Sequence, residues 1–231
     1  DWVKKLVAIA DREEKNTGKK IVIAVLIGNH DRPSNQDFFS DIHPFMGMDD
    51  IPNRLFIVNK PKAININGLK ILFMPYVPPG KFLDGFNSYL KAMHNGDKWK
   101  AINSIKDFSL IFSHQEYKGA PYGPIVSTNG DEWPSDYPMN ISGHIHTRIW
   151  LKDNILYTGS LYPITTAESN DKGVICGTFN ADTRKIDFKV TRVVTSQKVV
   201  LKIGAKDADA IREMLNLDRE NTKYIIQGTA D

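Results

Sequence analysis

Seven consecutive residues, Ile21-Val22-Ile23-Ala24-Val25-Leu26-Ile27, carry no polar side chain. They constrain this chain more than any other feature. A strand that is apolar at every position, rather than at every second one, is expected to be covered on both faces, as in a parallel sheet packed by helices. Ahead of it, Trp2, Val3, Leu6, Val7, Ile9 and Ala10 recur at helical spacing, with Lys4, Lys5 and Asp11 opposite and Asn16-Thr17-Gly18 ending the helix. The spacing places Trp2, Leu6 and Ile9 against the sheet. Helix followed by buried strand is half of a βαβ unit, so an earlier parallel strand is expected before residue 1.

Beyond residue 31 the pattern alternates between short apolar runs and polar loops. Residues 55–58, 63–66 and 70–74 read as strands, the last two forming a hairpin at Asn67-Gly68. Phe82, Phe86, Leu90 and Met93 mark a helix face, and Trp99, Ile102 and Ile105 a second short one. Residues 108–112 and 139–142 read as further buried strands. Hairpins are expected at 149–157 and 173–194, and the Gly- and Pro-rich stretch 119–138 as loop. Strands at 199–203 and 224–226 around a helix at 207–217 complete a β-α-β tail. The chain therefore reads as an α/β fold with helices flanking mixed sheets, in a main domain over 1–196 and a tail over 197–231.

Composition bounds the function classes. The 231 residues are 41% hydrophobic and 25% charged, which suits one globular domain with a small appendage. A net charge of +3 neither supports nor excludes a basic face for DNA. Cys176 is the one cysteine, so neither an intrachain disulfide nor a Cys-built zinc site can form. Its neighbours read as a buried strand, which makes it an inert core thiol and favours a reducing, cytoplasmic compartment. No apolar run is long enough for a membrane span, and the N-terminus lacks the layout of a signal peptide.

Three polar clusters follow three apolar runs: Gly28-Asn29-His30-Asp31, Ser113-His114, and Gly143-His144-Ile145-His146. Loops at the C-terminal ends of strands in an open α/β sheet line one crevice. That brings Asn29, His30, His114, His144 and His146 together and leaves His43 and His94 outside. Imidazoles with an amide oxygen suit a divalent transition metal, and a pair of such ions can activate a water and neutralise a phosphoryl oxygen. His144 and His146, two apart, share a strand face or, in a turn, reach adjacent ions. Each cluster alone has an ordinary reading as a turn or a satisfied core histidine. The ordered set of three does not.

In that order the clusters resemble the last three motifs of calcineurin-like metallophosphoesterases. Thr158-Gly159-Ser160 and Glu168 are similar to a signature of the Mre11 and SbcD nuclease branch, phage-encoded members included. The resemblance covers about residues 1–195. It implies that Asn29, His114 and His144 hold one ion and His146 the other. Manganese is the expected metal, with iron or zinc as alternatives. It implies His30 as the catalytic residue beside the scissile phosphate, Asp31 as the residue ordering its loop, and Gly159 and Ser160 as a close backbone passage beneath the metals. It also implies a Rad50- or SbcC-like ATPase partner and a homodimer.

The family's earlier Asp-x-His and Gly-Asp motifs do not occur before Gly28. Asp1 sits where an N-cap sits; its other reading is the last residue of the second motif. These residues are therefore expected to be part of a longer chain, binding manganese poorly and hydrolysing nothing measurable alone. The leading functional reading is a metal-dependent DNA nuclease subunit acting in DNA repair, cytoplasmic or nucleoid-associated. A phosphoprotein or small nucleotide as substrate is the second reading, and a truncated, non-catalytic binding subunit the third. Tyr117, Tyr122, Trp133 and Tyr137 either stack bases or pack their loop. Arg184, Lys185, Lys189, Arg192, Lys198 and Lys202 are read as the solvated face of a hairpin, with backbone phosphate contact as the alternative.

Overall fold

The computed structural model of the chain describes residues 2–48, 51, 54–66, 68–94, 104–165, 168–169, 171–192, 197–203 and 222–228. Helix α1 (Trp2–Thr17) ends at Gly18, whose φ of +67° suits glycine and whose N–H donates to the Glu14 carbonyl at 2.8 Å. Val3 and Ala10 are buried on its inner side, whereas Leu6 and Ile9 are 40% and 47% exposed. The buried seam thus runs through Val3 and Ala10, and the expected Leu6 and Ile9 face points outward. Arg54 ties the helix down, pairing with Glu14 at 2.5 Å and Asp11 at 3.0 Å while donating to the Ile21 carbonyl at 2.6 Å.

Strand β1 (Ile23–Leu26) pairs in parallel with β2 (Leu55–Val58), Ile23 opposite Leu55. All four β1 residues are half-buried, not covered on both faces as their apolar run suggests. The reason is topological. Among the described residues β1 has one paired edge, and it lies outside the main sheet.

The main sheet holds six strands, β3 (Lys62–Ile66), β4 (Leu69–Met74), β5 (Leu110–Ser113), β8 (Met139–Ser142), β9 (Ile149–Lys152) and β10 (Ile155–Tyr157), in the order β3-β4-β5-β8-β10-β9. Its centre is parallel and each edge is closed by an antiparallel hairpin, giving a mixed α/β fold. Side chains alternate across it, as the pleat requires. Leu72, Met74, Ile111, Ile155 and Tyr157 join one core with Phe82, Phe86 and Leu90 of α2 (Phe82–His94). Ile71, Phe73, Leu110, Met139 and Ile141 join a second core with Val58, against which Ala24, Leu26, Phe179 and Ile186 pack.

The 119–138 stretch is not wholly irregular: β6 (Pro121–Tyr122) and β7 (Ile125–Val126) form a small hairpin turning at Gly123, φ +60°. Strands β11 (Val174–Asn180) and β12 (Lys185–Thr191) form the expected hairpin, and β13 (Gln197–Ile203) pairs in parallel with β14 (Thr222–Gly228). The helix expected at 207–217 and most of the one around Trp99 lie outside the described residues; Ile105–Asp107 is a 3-10 turn. Cys176 is exposed, contrary to its reading as a core thiol. Along β11 it is Ile175 and Phe179 that turn inward, so Cys176 falls on the solvated face. Lys185, Asp187 and Lys189 on β12 are likewise exposed.

Candidate functional site

Strands β5 and β8 are parallel neighbours in register, Ser113 opposite Ser142. The residues that follow them, His114 and Gly143, therefore emerge side by side, and Gly143 N–H donates back to the Ser113 carbonyl at 2.9 Å. The His114 ring fills the space two glycines leave. A Cβ on Gly28 would lie 2.8 Å from its Cε1 and Nε2, and one on Gly143 2.8 Å from its Nδ1. Sequence places glycine at both positions because the ring needs that volume.

His144 has φ +76°, and Ile145 N–H donates to the Gly143 carbonyl at 3.0 Å. This is the strained form of γ-turn, a conformation that costs a non-glycine residue about 1–3 kcal/mol and clusters at functional sites. The turn carries the His144 ring back toward β1. Asn29 sits there, in the 3-10 turn Asn29–Asp31 whose Gly28 N–H donates to the Asp31 carboxylate at 2.9 Å. Asp31 thus orders its own loop.

The result is a three-residue cluster. Asn29 Oδ1 lies 3.1 Å from His114 Nε2 and 3.2 Å from His144 Nδ1, and the two rings meet edge to face with centroids 5.3 Å apart. It forms although β1 lies outside the main sheet: the Ile27 carbonyl accepts from Tyr76 N–H at 3.0 Å, joining the end of β1 to the segment after β4. Convergence comes through that bridge and not through one continuous sheet.

Burial, reinforced by the rings of His144, His30 and His146, brings the His114 pKa down to about 3. Burial also lowers that of His144, against the opposing pull of Glu116. Both rings are therefore neutral at ordinary pH, the form in which an imidazole nitrogen can bind a metal. His30 is exposed at the same turn.

His146 is held from behind. Its Nδ1 lies 3.0 Å from Glu168 Oε1, and the Lys172 ammonium donates to Glu168 Oε2 at 2.9 Å and to the His146 carbonyl at 2.6 Å. Burial pushes the Glu168 carboxyl up, but Lys172, the Ile164 amide and the His146 ring outweigh it and hold the pKa at about 2. Gly159, φ +74°, passes so close that a Cβ would lie 2.9 Å from Arg148 N and 3.2 Å from the His146 carbonyl oxygen. Ser160 N–H donates to that same carbonyl at 3.1 Å.

Several participants carry no motif. Glu116 lies 3.8 Å from His144 Nε2, Tyr122 O–H bonds to both, and Gln115 and Ser142 lock β5 to β8 behind the histidines. An acid two positions after His114 was the one available signal. Tyr117 and Trp133 are fully buried in the first core and Tyr137 packs against it, which assigns those aromatics to loop packing. Tyr122, 39% exposed, remains beside the cluster.

Among the described residues no three His, Cys, Asp or Glu side chains group so as to hold a metal ion. What is grouped is two imidazoles and an amide. Ligands about 2.1 Å from one ion and at right angles are about 3.0 Å apart. The Asn29–His114 and Asn29–His144 separations match that spacing, so the donor set fits one position in part.

Fold and site together define a class: an α/β protein with imidazoles and an amide gathered at the C-terminal ends of parallel strands. No family model matches the sequence. The chain is 31% identical over 211 residues to "Putative phosphoesterase 078R" of Invertebrate iridescent virus 3, spanning 90% of this chain and 56% of that protein. It is 36% identical over 156 residues to "Putative phosphoesterase 244L" of Invertebrate iridescent virus 6, spanning 68% and 51%. The chain thus covers about half the length of the curated relatives it matches. Both likenesses support a phosphoesterase family. No helix among the described residues is long and apolar enough to cross a membrane.

Proposed function

We propose that this chain supplies part of the active site of a metal-dependent phosphodiester hydrolase that cleaves DNA. One observation carries the reading: Asn29 Oδ1 meets two neutral imidazole nitrogens at 3.1 and 3.2 Å. Asn29, His114 and His144 would hold one divalent ion and His146 a second, with manganese the expected metal. Such ions supply Lewis acidity at the phosphoryl oxygens and lower the pKa of a water.

The chain's own groups do the rest. His30, exposed on the Asn29–Asp31 turn, is free to face a substrate and donate a proton to the leaving oxygen. Glu168 accepts the His146 Nδ1 proton, which leaves the Nε2 lone pair as the one that would bind an ion. Buried Gln115 and Ser142 keep β5 and β8 in register, and the histidines with them. DNA as the substrate rests on the Thr158-Gly159-Ser160 and Glu168 signature, of which Gly159, Ser160 and Glu168 lie close to His146 in this chain.

The test uses the full-length protein with manganese, on DNA and on a small phosphodiester. Hydrolysis of DNA that His114→Ala abolishes without unfolding the protein is expected. His30→Ala should keep its metal while turnover falls about 10²–10⁴-fold, and Asn29→Ala should lose metal. Near-wild-type activity in His114→Ala overturns the site, and cleavage of the small ester alone overturns the substrate.

A further inference from the structure

We infer that Glu116, acting through Tyr122, is a positioning residue that fixes the tautomer of His144. The inference rests on the proposed metal site for its purpose, but its geometry stands independently. Tyr122 Oη lies 3.0 Å from Glu116 Oε2 and in hydrogen-bond contact with His144 Nε2. Ser127 Oγ lies 2.5 Å from the other carboxylate oxygen and itself accepts from Gly130 N–H at 3.1 Å.

Proton counting leaves one arrangement. A carboxylate is an acceptor with nothing to donate. Ser127 must therefore give its hydroxyl proton to Oε1, and Tyr122 must give its own to Oε2. With that proton spent, Tyr122 can face His144 only as an acceptor, so His144 Nε2 carries the ring proton. A neutral imidazole has one N–H, which leaves Nδ1 bare, 3.2 Å from Asn29 Oδ1. Two lone pairs facing each other at that distance are poised for a cation. In the opposite tautomer Nδ1–H would donate to Asn29 and close the position.

The relay is built into the fold. Glu116 follows the buried Gln115, and its carbonyl accepts from Asp131 N–H at 2.9 Å. The His144 ring is flanked by Tyr76 and Tyr122, with centroids 5.6 and 5.8 Å away. The ring is thus held while its protonation pattern is set from one side.

The test is a long-range proton–nitrogen correlation spectrum of the metal-free chain, with His144 signals assigned by their loss in His144→Gln. The wild type should show the Nε2–H form. In Glu116→Gln the amide can donate to Tyr122, freeing the tyrosine proton for His144 Nε2, so the Nδ1–H form should dominate. Tyr122→Phe should show a mixture. Manganese affinity, read separately by titration of the full-length protein, should fall about 10–100-fold in Glu116→Gln. An Nδ1–H form in the wild type, or one tautomer shared by wild type and Glu116→Gln, overturns the relay. The expected tautomers with no manganese uptake by any variant support the relay and count against the metal site instead.

Discussion

Gly28→Ala isolates one of the two close backbone approaches that position the His114 ring. Gly28 has φ −90°, which alanine adopts without strain, so the substitution tests space alone. The new methyl would stand 2.8 Å from Cε1 and Nε2 of the His114 ring. Ordinary carbon contact begins near 3.5 Å, so the ring must retreat by roughly 0.7 Å. Gly143 lies against the adjoining Nδ1 edge of the same ring, and Nε2 sits at the edge the new methyl meets, so the retreat displaces Nε2 from its place 3.1 Å from Asn29. Overpacking of this kind costs about 1–3 kcal/mol.

The assay is urea unfolding of four chains: wild type, Gly28→Ala, His114→Ala and the double variant. Gly28→Ala should destabilise the wild type by about 1–3 kcal/mol and cost under about 0.5 kcal/mol in the His114→Ala background, where the ring is gone. In the full-length protein the shift should lower hydrolysis about 10²-fold. An equal penalty in both backgrounds would refute the reasoning, because the glycine would then not be there for the ring.

Three further outcomes follow from buried contacts. Burial raises the Asp131 pKa to about 6 from 3.8, so the folded chain binds that proton more tightly than the unfolded one. Its stabilising contribution is full below about pH 4 and lost as pH rises through 6; the difference, about 3 kcal/mol, should vanish from the pH dependence of unfolding in Asp131→Asn. Tyr157→Phe should cost about 1–3 kcal/mol in thermal unfolding, since the buried hydroxyl accepts from Tyr117 N–H and donates to the Gln115 carbonyl; a neutral effect would contradict both bonds. Gly159→Ala should destabilise more than Gly28→Ala in the same urea assay, because it meets backbone at Arg148 and His146 in a left-handed conformation.

Much of the frame was legible in local pattern. The apolar runs ending at Ser113 and Ser142 became the adjacent parallel strands β5 and β8, and turn residues located three of the hairpins. Asn29, His114 and His144 were grouped because each follows such a run, and a polar residue at a strand end is visible without a partner. Which sheet β1 joins was not visible, since an apolar run does not specify what lies along its edges. Cys176 and Leu6 were misplaced for a related reason: an apolar run or stripe does not say which of its sides turns inward, and here Ile175 and Phe179, and Val3 and Ala10, take that side. Glu116 escaped notice, and Tyr122 was read only as a base-stacking or loop-packing aromatic, because their contacts arise only when a loop rich in Gly and Pro folds back on itself.

That loop is drawn shut at its base. Asp131 N–H donates to the Glu116 carbonyl, Lys118 N–H to that of Asp131, Gly119 N–H to that of Ser127, and Ser127 N–H to that of Ala120. Asp131 also reaches across to accept from Phe82 N–H at 2.8 Å, capping the start of α2. Beyond this collar stand Gly123 and the exposed Ile125 and Val126, which hold none of the fold's central bonds. Evolution and the protein engineer are therefore offered the same opening. Residues inserted between Gly123 and Pro124 would change what is presented above His144 at little expense to the body beneath, so lineages can diverge in length here while their frameworks stay superimposable.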